Sequence, residues 1–222
     1  MLSPEELSAL WLSIRVALVG VAVSIPPGVA LAWLLARRPF VGKSLVDALV
    51  HLPLVLPPVA VGYLLLTFLG RRSLIGGFLS ESLGIDLAFT WKAAAIASAV
   101  MGFPLLVRST RLAIELVDRR TEEAARTLGA GPGRVAWTIT LPLALPGILA
   151  GITLAFARSL GEFGATITFA GNIEGETRTL PAAIYTYTQL PDGDGPATRL
   201  LAISIVVAFA ALVASEFLAR RS

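Results

Sequence analysis

No cysteine occurs among the 222 residues, and histidine occurs once, as His51. Disulfide cross-links and cysteine metal sites are therefore excluded, and a histidine-rich metal site is excluded with them. Charge is scarce as well: 15% of residues are charged, against 55% hydrophobic. A mean hydropathy of +0.78 takes the chain outside the range of water-soluble domains. Patterns that carry catalysis are missing too. There is no HExxH, no GxSxG and no paired-carboxylate motif in or near an apolar run. Gly42-Lys43-Ser44 resembles the end of a phosphate-binding loop, but the glycine needed five residues before Gly42 is Arg37. His51 reads as a packed or interfacial histidine. These absences leave a membrane protein without chemistry of its own. If it moves anything uphill, a partner supplies the energy.

What is present is a series of long apolar runs, enough for one all-α integral membrane domain over residues 1–222. The start, MLSPEEL, is acidic where a signal peptide is basic, and reads as a retained helix start. Ser3 is placed to cap it, Pro4 to occupy its first turn, and Glu5 and Glu6 to meet the positive end of its dipole. Five spans are expected, at about 16–36, 45–69, 89–107, 135–157 and 200–219. Pro26-Pro27-Gly28 should kink the first near mid-membrane. In the second, Pro53, Pro57 and Pro58 free backbone carbonyls that need neighbours, which places this helix inside the bundle. The third has small residues suited to close packing and continues as a polar helix. After the fourth, SLGEFGATITFAGN either extends that helix or re-enters the bundle. A short helix is expected in TLPAAIYTYTQL. No internal repeat is visible.

Basic residues fix the orientation. Eleven lie on the side of the 37–43 loop, the 108–134 region and the C-terminus, and the other seven lie in spans or on the opposite side. The positive-inside rule then puts the C-terminus in the cytoplasm and the N-terminus outside, against the grain of Arg71-Arg72.

Between the third and fourth spans lies a polar island, TEEAARTLGAGPGRVAWTITLP (residues 121–142). Residues 121–131 favour helix, with Asp118 or Thr121 as cap and Glu122 and Glu123 in the first turn. Ala124-Ala125 keep one side small enough for another protein to come near the backbone. Gly129 and Gly131-Pro132-Gly133 end the helix and turn the chain. Such a helix, joined rigidly to two spans, can transmit a push. An ordinary amphipathic loop helix is the alternative on composition alone.

The spacing goes further. Glu123-Ala124-Ala125, then Gly129, then Ile139-x-Leu141-Pro142, resembles the signature of permease subunits of ATP-binding-cassette importers with the type I fold. HLPLVLPPVAVGYLLL, ARSLGEFGATITF and GETRTLP narrow the resemblance to molybdate-transporter permeases, over nearly the whole chain. The resemblance implies five spans with a cytoplasmic coupling helix at about 121–131. It implies two permease copies around a central path, in the inner membrane. Two ATPase subunits, which bind ATP and Mg, would dock inside, and a periplasmic or lipid-anchored oxyanion-binding protein outside. It implies no cofactor or metal in this chain, no nucleic acid, and no enzymatic activity of its own. Glu123, Ala124, Ala125, Gly129, Ile139, Leu141 and Pro142 become the ATPase-coupling residues. Sulfate and tungstate permeases share GEFGA-like segments, so these anions remain alternatives to molybdate.

Arg158 and Glu162, four apart, share a helix face. Charges at membrane depth must pair or face water. Arg158 can attract a passing oxyanion with Glu162 holding it, or the two can simply fix the outer end of the fourth span. Ser159, Thr166 and Thr168 offer hydroxyls to the route, or to helix packing. From another class, a stand-alone secondary transporter would need acids inside the spans, and only Glu162 and Glu216 are candidates.

Overall fold

The structure is a computed structural model that describes residues 2–221, with side chains described for residues 2–213. The described residues form helices and no strands. The first helix, α1, runs from Pro4 to Arg37. Its start is a capping box: the Ser3 hydroxyl accepts from the Glu6 amide, and the Glu6 carboxylate accepts from the Ser3 amide. Thirty-four residues make a rod of about 51 Å, longer than a bilayer core of about 30 Å. The expected first span is thus only part of α1, which continues through Pro26 and Pro27 without ending.

The second expected span is broken. Pro57 and Pro58 interrupt it, so α2 (Lys43–Val55) and α3 (Pro58–Leu69) meet at 114°. Nor is all of it inside the bundle, as the prolines suggested. No residue of α2 is buried, and α3 buries only Val61 and Gly62. The physical reason is the break itself: α3 turns in towards the core while α2 lies along the flank of the bundle. Arg111 ties α2 down, bonding Asp47 at 2.7 Å and Glu115 at 2.8 Å. His51 is half-buried on α2, with Nδ1 2.8 Å from the Asp47 carbonyl.

A short helix, α4 (Leu74–Leu83), capped by Ser73, leads to α5 (Trp91–Leu116). The chain continues through α6 (Arg119–Thr127), α7 (Pro132–Val135), a π turn at Ala136–Thr140 and α8 (Leu141–Leu160). After a break at Gly161, α9 (Gly164–Phe169) turns back into the bundle rather than extending α8. Then come α10 (Leu180–Thr188) and α11 (Asp194–Arg221). Among the described residues four helical stretches are long and apolar enough to cross a membrane, and the bent α2–α3 pair makes a fifth if its two helices together form one span. Glu216, Arg220 and Arg221 lie outside the residues whose side chains are described.

The core forms where α1, α5 and α8 pack against one another. Small residues permit it. Ala93, Ala94, Ala97 and Ser98 of α5 are fully buried, and a methyl group on Gly102 would lie 3.0 Å from the Ala155 carbonyl of α8. Between α3 and α9 the approach is closer still: a Cβ on Gly62 would meet the Ala165 carbonyl at 2.6 Å. In lipid, backbone proximity of this kind is a main source of helix association. Gly62→Val should therefore destabilise the fold by roughly 1–3 kcal/mol, seen as a lower melting temperature and less monodisperse protein in detergent. Gly133→Ala, with open space around it, should leave both unchanged.

Candidate functional site

Two places gather the residues singled out above. The first is the polar segment between α5 and α8. Asp118, rather than Thr121, caps α6: its carboxylate accepts from the Arg120 amide at 2.9 Å. The helix ends where Gly129 takes φ +87°, a left-handed turn that a side chain would strain. There the Ala130 amide bonds back to Ala125. Pro132 then starts α7, and the π turn carries the chain into α8.

On this segment Glu123, Ala124, Gly129 and Pro142 are exposed, while Ala125, Ile139 and Leu141 are half-buried. Leu128 and Trp137 are 89% and 75% exposed. The free surface of α6 is thus mostly charged and polar, with Ala124 the small apolar residue exposed on it. Arg119, Arg120 and Arg126 are exposed around it.

Glu122, next to the expected Glu123, does what sequence reasoning did not assign. It is the buried residue of α6, 4% exposed. Its Oε1 accepts from Arg37 Nη2 at 2.8 Å, from Arg37 Nε at 3.1 Å and from the Thr140 hydroxyl at 2.7 Å. Arg37 Nη2 also donates to the Val117 carbonyl at 3.0 Å. A signal was there to find. The helix RRTEEAART has no large apolar side chain to pack, so its attachment to the bundle had to be polar.

The second place is the far end of α8. Arg158 Nη1 lies 2.7 Å from Glu162 Oε2, and the Glu162 side chain is almost wholly buried. Glu162 Oε1 accepts from the Ala165 amide at 2.7 Å, which fixes the start of α9. Arg158 is half-buried and keeps some access. Ser159 and Thr166 are buried and turned inward. Ser159 donates to the Ser98 carbonyl at 3.2 Å, and Thr166 to the Phe163 carbonyl at 2.9 Å. Thr168 bonds back to Gly164. Among the described residues no three acidic or histidine side chains group as metal ligands.

The family described as "binding-protein-dependent transport system inner membrane component" matches residues 28–222. The chain belongs to this family. It is 58% identical over 221 residues to the molybdenum transport system permease protein ModB of Escherichia coli K12, covering 100% of this chain and 96% of that protein. The Mycobacterium tuberculosis ModB is 44% identical, over 95% of this chain and 79% of its own length. A probable sulfate transport system permease, cysT of Chlorokybus atmophyticus, is 34% identical over 93% and 73%. Among solved structures, an inward-facing MetNI methionine ABC transporter superposes with a TM-score of 0.77 at 19% identity, covering 100% of this chain and 99% of that one. A bacterial alginate ABC transporter gives 0.77 at 20%, over 99% and 80%. Both share the fold of this inner membrane component.

Charge and hydrogen bonding at Arg158 and Glu162 make them a coupled pair. Glu162→Ala or Arg158→Ala alone should each cost roughly 1–3 kcal/mol. The double variant should cost less than the sum, with a coupling of about 0.5–3 kcal/mol in a double-mutant cycle of melting in detergent. Strict additivity would mean that the two do not interact.

Proposed function

We propose that the chain is the permease subunit of an ATP-driven molybdate importer of the inner membrane. The observation that carries this is full-length similarity, at 58% identity, to a molybdenum transport system permease. Tungstate, as a similar divalent oxyanion, fits the same reading. Sulfate is a second reading, supported by the 34% relative, and it stands behind molybdate because that similarity is much weaker.

In this reading two copies of the chain enclose the path, with N-termini outside and C-termini in the cytoplasm. Two ATP-binding subunits dock against α6 from the cytoplasm and hold the ATP and Mg. A periplasmic or lipid-anchored binding protein delivers the anion. Glu123, Ala124, Ala125 and Gly129 form the contact, Ala124 allowing close approach and Gly129 the chain reversal. Ile139, Leu141 and Pro142 set the entry into α8. ATP binding draws the two α6 helices together and the spans tilt to open outward; hydrolysis returns them. Arg158 supplies a positive charge along the path, oriented by Glu162. Ser159, buried against α5, and Thr166, at the start of α9, hold the backbone around that charge. Weak, distributed contacts suit a carrier that must release what it moves.

Reconstitution in liposomes with the ATPase and binding protein tests the reading. Molybdate should accumulate only when ATP and the ATPase are present. Uptake by the chain alone would instead mark a secondary transporter, and accumulation of sulfate but not molybdate would favour the second reading. Arg158→Ala should assemble with the ATPase yet lose most uptake; normal uptake would remove Arg158 from the path. Replacing both Glu123 and Gly129 should detach or uncouple the ATPase, and full ATP-driven uptake in that variant would refute docking at α6.

A further inference from the structure

We propose that Glu122 is the positioning residue through which movement of α6 reaches α1, and through α1 the far end of the bundle. This rests on the reading of α6 as the place where the ATPase docks.

One carboxylate oxygen, Glu122 Oε1, takes three donors: Arg37 Nη2, Arg37 Nε and the Thr140 hydroxyl. The same guanidinium holds the Val117 carbonyl just past the end of α5. Four segments therefore converge on one ion pair: the end of α1, the end of α5, α6, and the π turn that leads into α8. Both side chains are under 10% exposed. A surface ion pair slides and exchanges with water. A buried pair with several directed bonds resists displacement, because parting it strands a charge away from water. Since α6 has no large apolar residue of its own, this pair is its firm attachment, beyond the covalent chain, to the bundle.

The connection does not stop at Arg37. The opposite end of α1 carries Glu6, buried and bonded by Arg199 of α11 at 2.8 Å. The Ser13 hydroxyl accepts from the Leu180 amide at 2.6 Å. Thus α1 is pinned at one end to α6 and at the other to α10 and α11. A displacement of α6 that keeps the Arg37–Glu122 pair intact must be shared by α1 along its whole length. Glu123, one residue on, is exposed; it meets a partner, whereas Glu122 carries the movement inward.

The experiment compares wild type with Glu122→Gln, which keeps shape and an acceptor for Thr140 but removes the charge. Three quantities are read on the complete complex in liposomes: ATPase co-purification, ATP hydrolysis, and molybdate taken up per ATP. The expected result is normal co-purification and hydrolysis with uptake per ATP lowered about fivefold or more. Arg37→Lys, which keeps charge with fewer donors, should fall in between. An unchanged ratio, whether both rates hold or both drop together, overturns the proposal. If Glu122→Gln fails to assemble, Arg37→Gln, which parts the same pair from the α1 side, is read by the same ratio and the same criterion. Failure of the underlying reading looks different: the wild-type chain would not co-purify with the ATPase at all, or would transport without it.

Discussion

Close approach of backbones at α5 is the constraint on which the rest of the structure depends. Apolar side chains gain little from burying against one another when the solvent is itself hydrocarbon, so packing distance and polar bonds must hold the helices together. Ala and Gly residues on α5 let α1 and α8 come within van der Waals range of its backbone. Once those three helices are set, the ends of α1 and α8 come together beside α6, and Arg37, Glu122 and Thr140 find one another there. The same logic recurs on a smaller scale where Gly62 lets α3 seat the short α9.

Much of this could be read in advance because membranes permit few solutions. Long apolar runs had to be helices, and the cap at Ser3 and the helix ending at Gly129 followed from local chemistry. The spacing from Glu123 through Gly129 to Leu141 pointed to the family before any coordinate. What could not be read was which neighbour each polar side chain would find. Glu122 and Glu123 are indistinguishable in composition, and only the position of Arg37, 85 residues away in sequence, makes one internal and the other free. Prolines at 53, 57 and 58 announced disturbance in the second span but not its form, since a kink and a sharp break use the same residues. Ser159 and Thr166 offered hydroxyls to the route or to helix packing, since either use suits them. In the folded chain both are spent on carbonyls within it.

Polar residues are divided between the two ends of the bundle of this transport-family chain. At one end charges are arranged around a free surface on α6, and at the other around Arg158 and its buried carboxylate. Neither place has a nucleophile with a base to activate it. The apolar flank of α2 buries no residue within the chain.

The bond between Glu6 and Arg199 joins residues 193 apart, near the two ends of the chain. It also sets a schedule for biosynthesis. The first helix is made early, yet its buried carboxylate has no guanidinium to meet until the last helix leaves the ribosome. Until then that end of α1 is held through Ser13 and Leu180 of α10, while Glu6 lacks its guanidinium. A chain terminated before residue 199 would keep an unmatched acid at the seam between its helices.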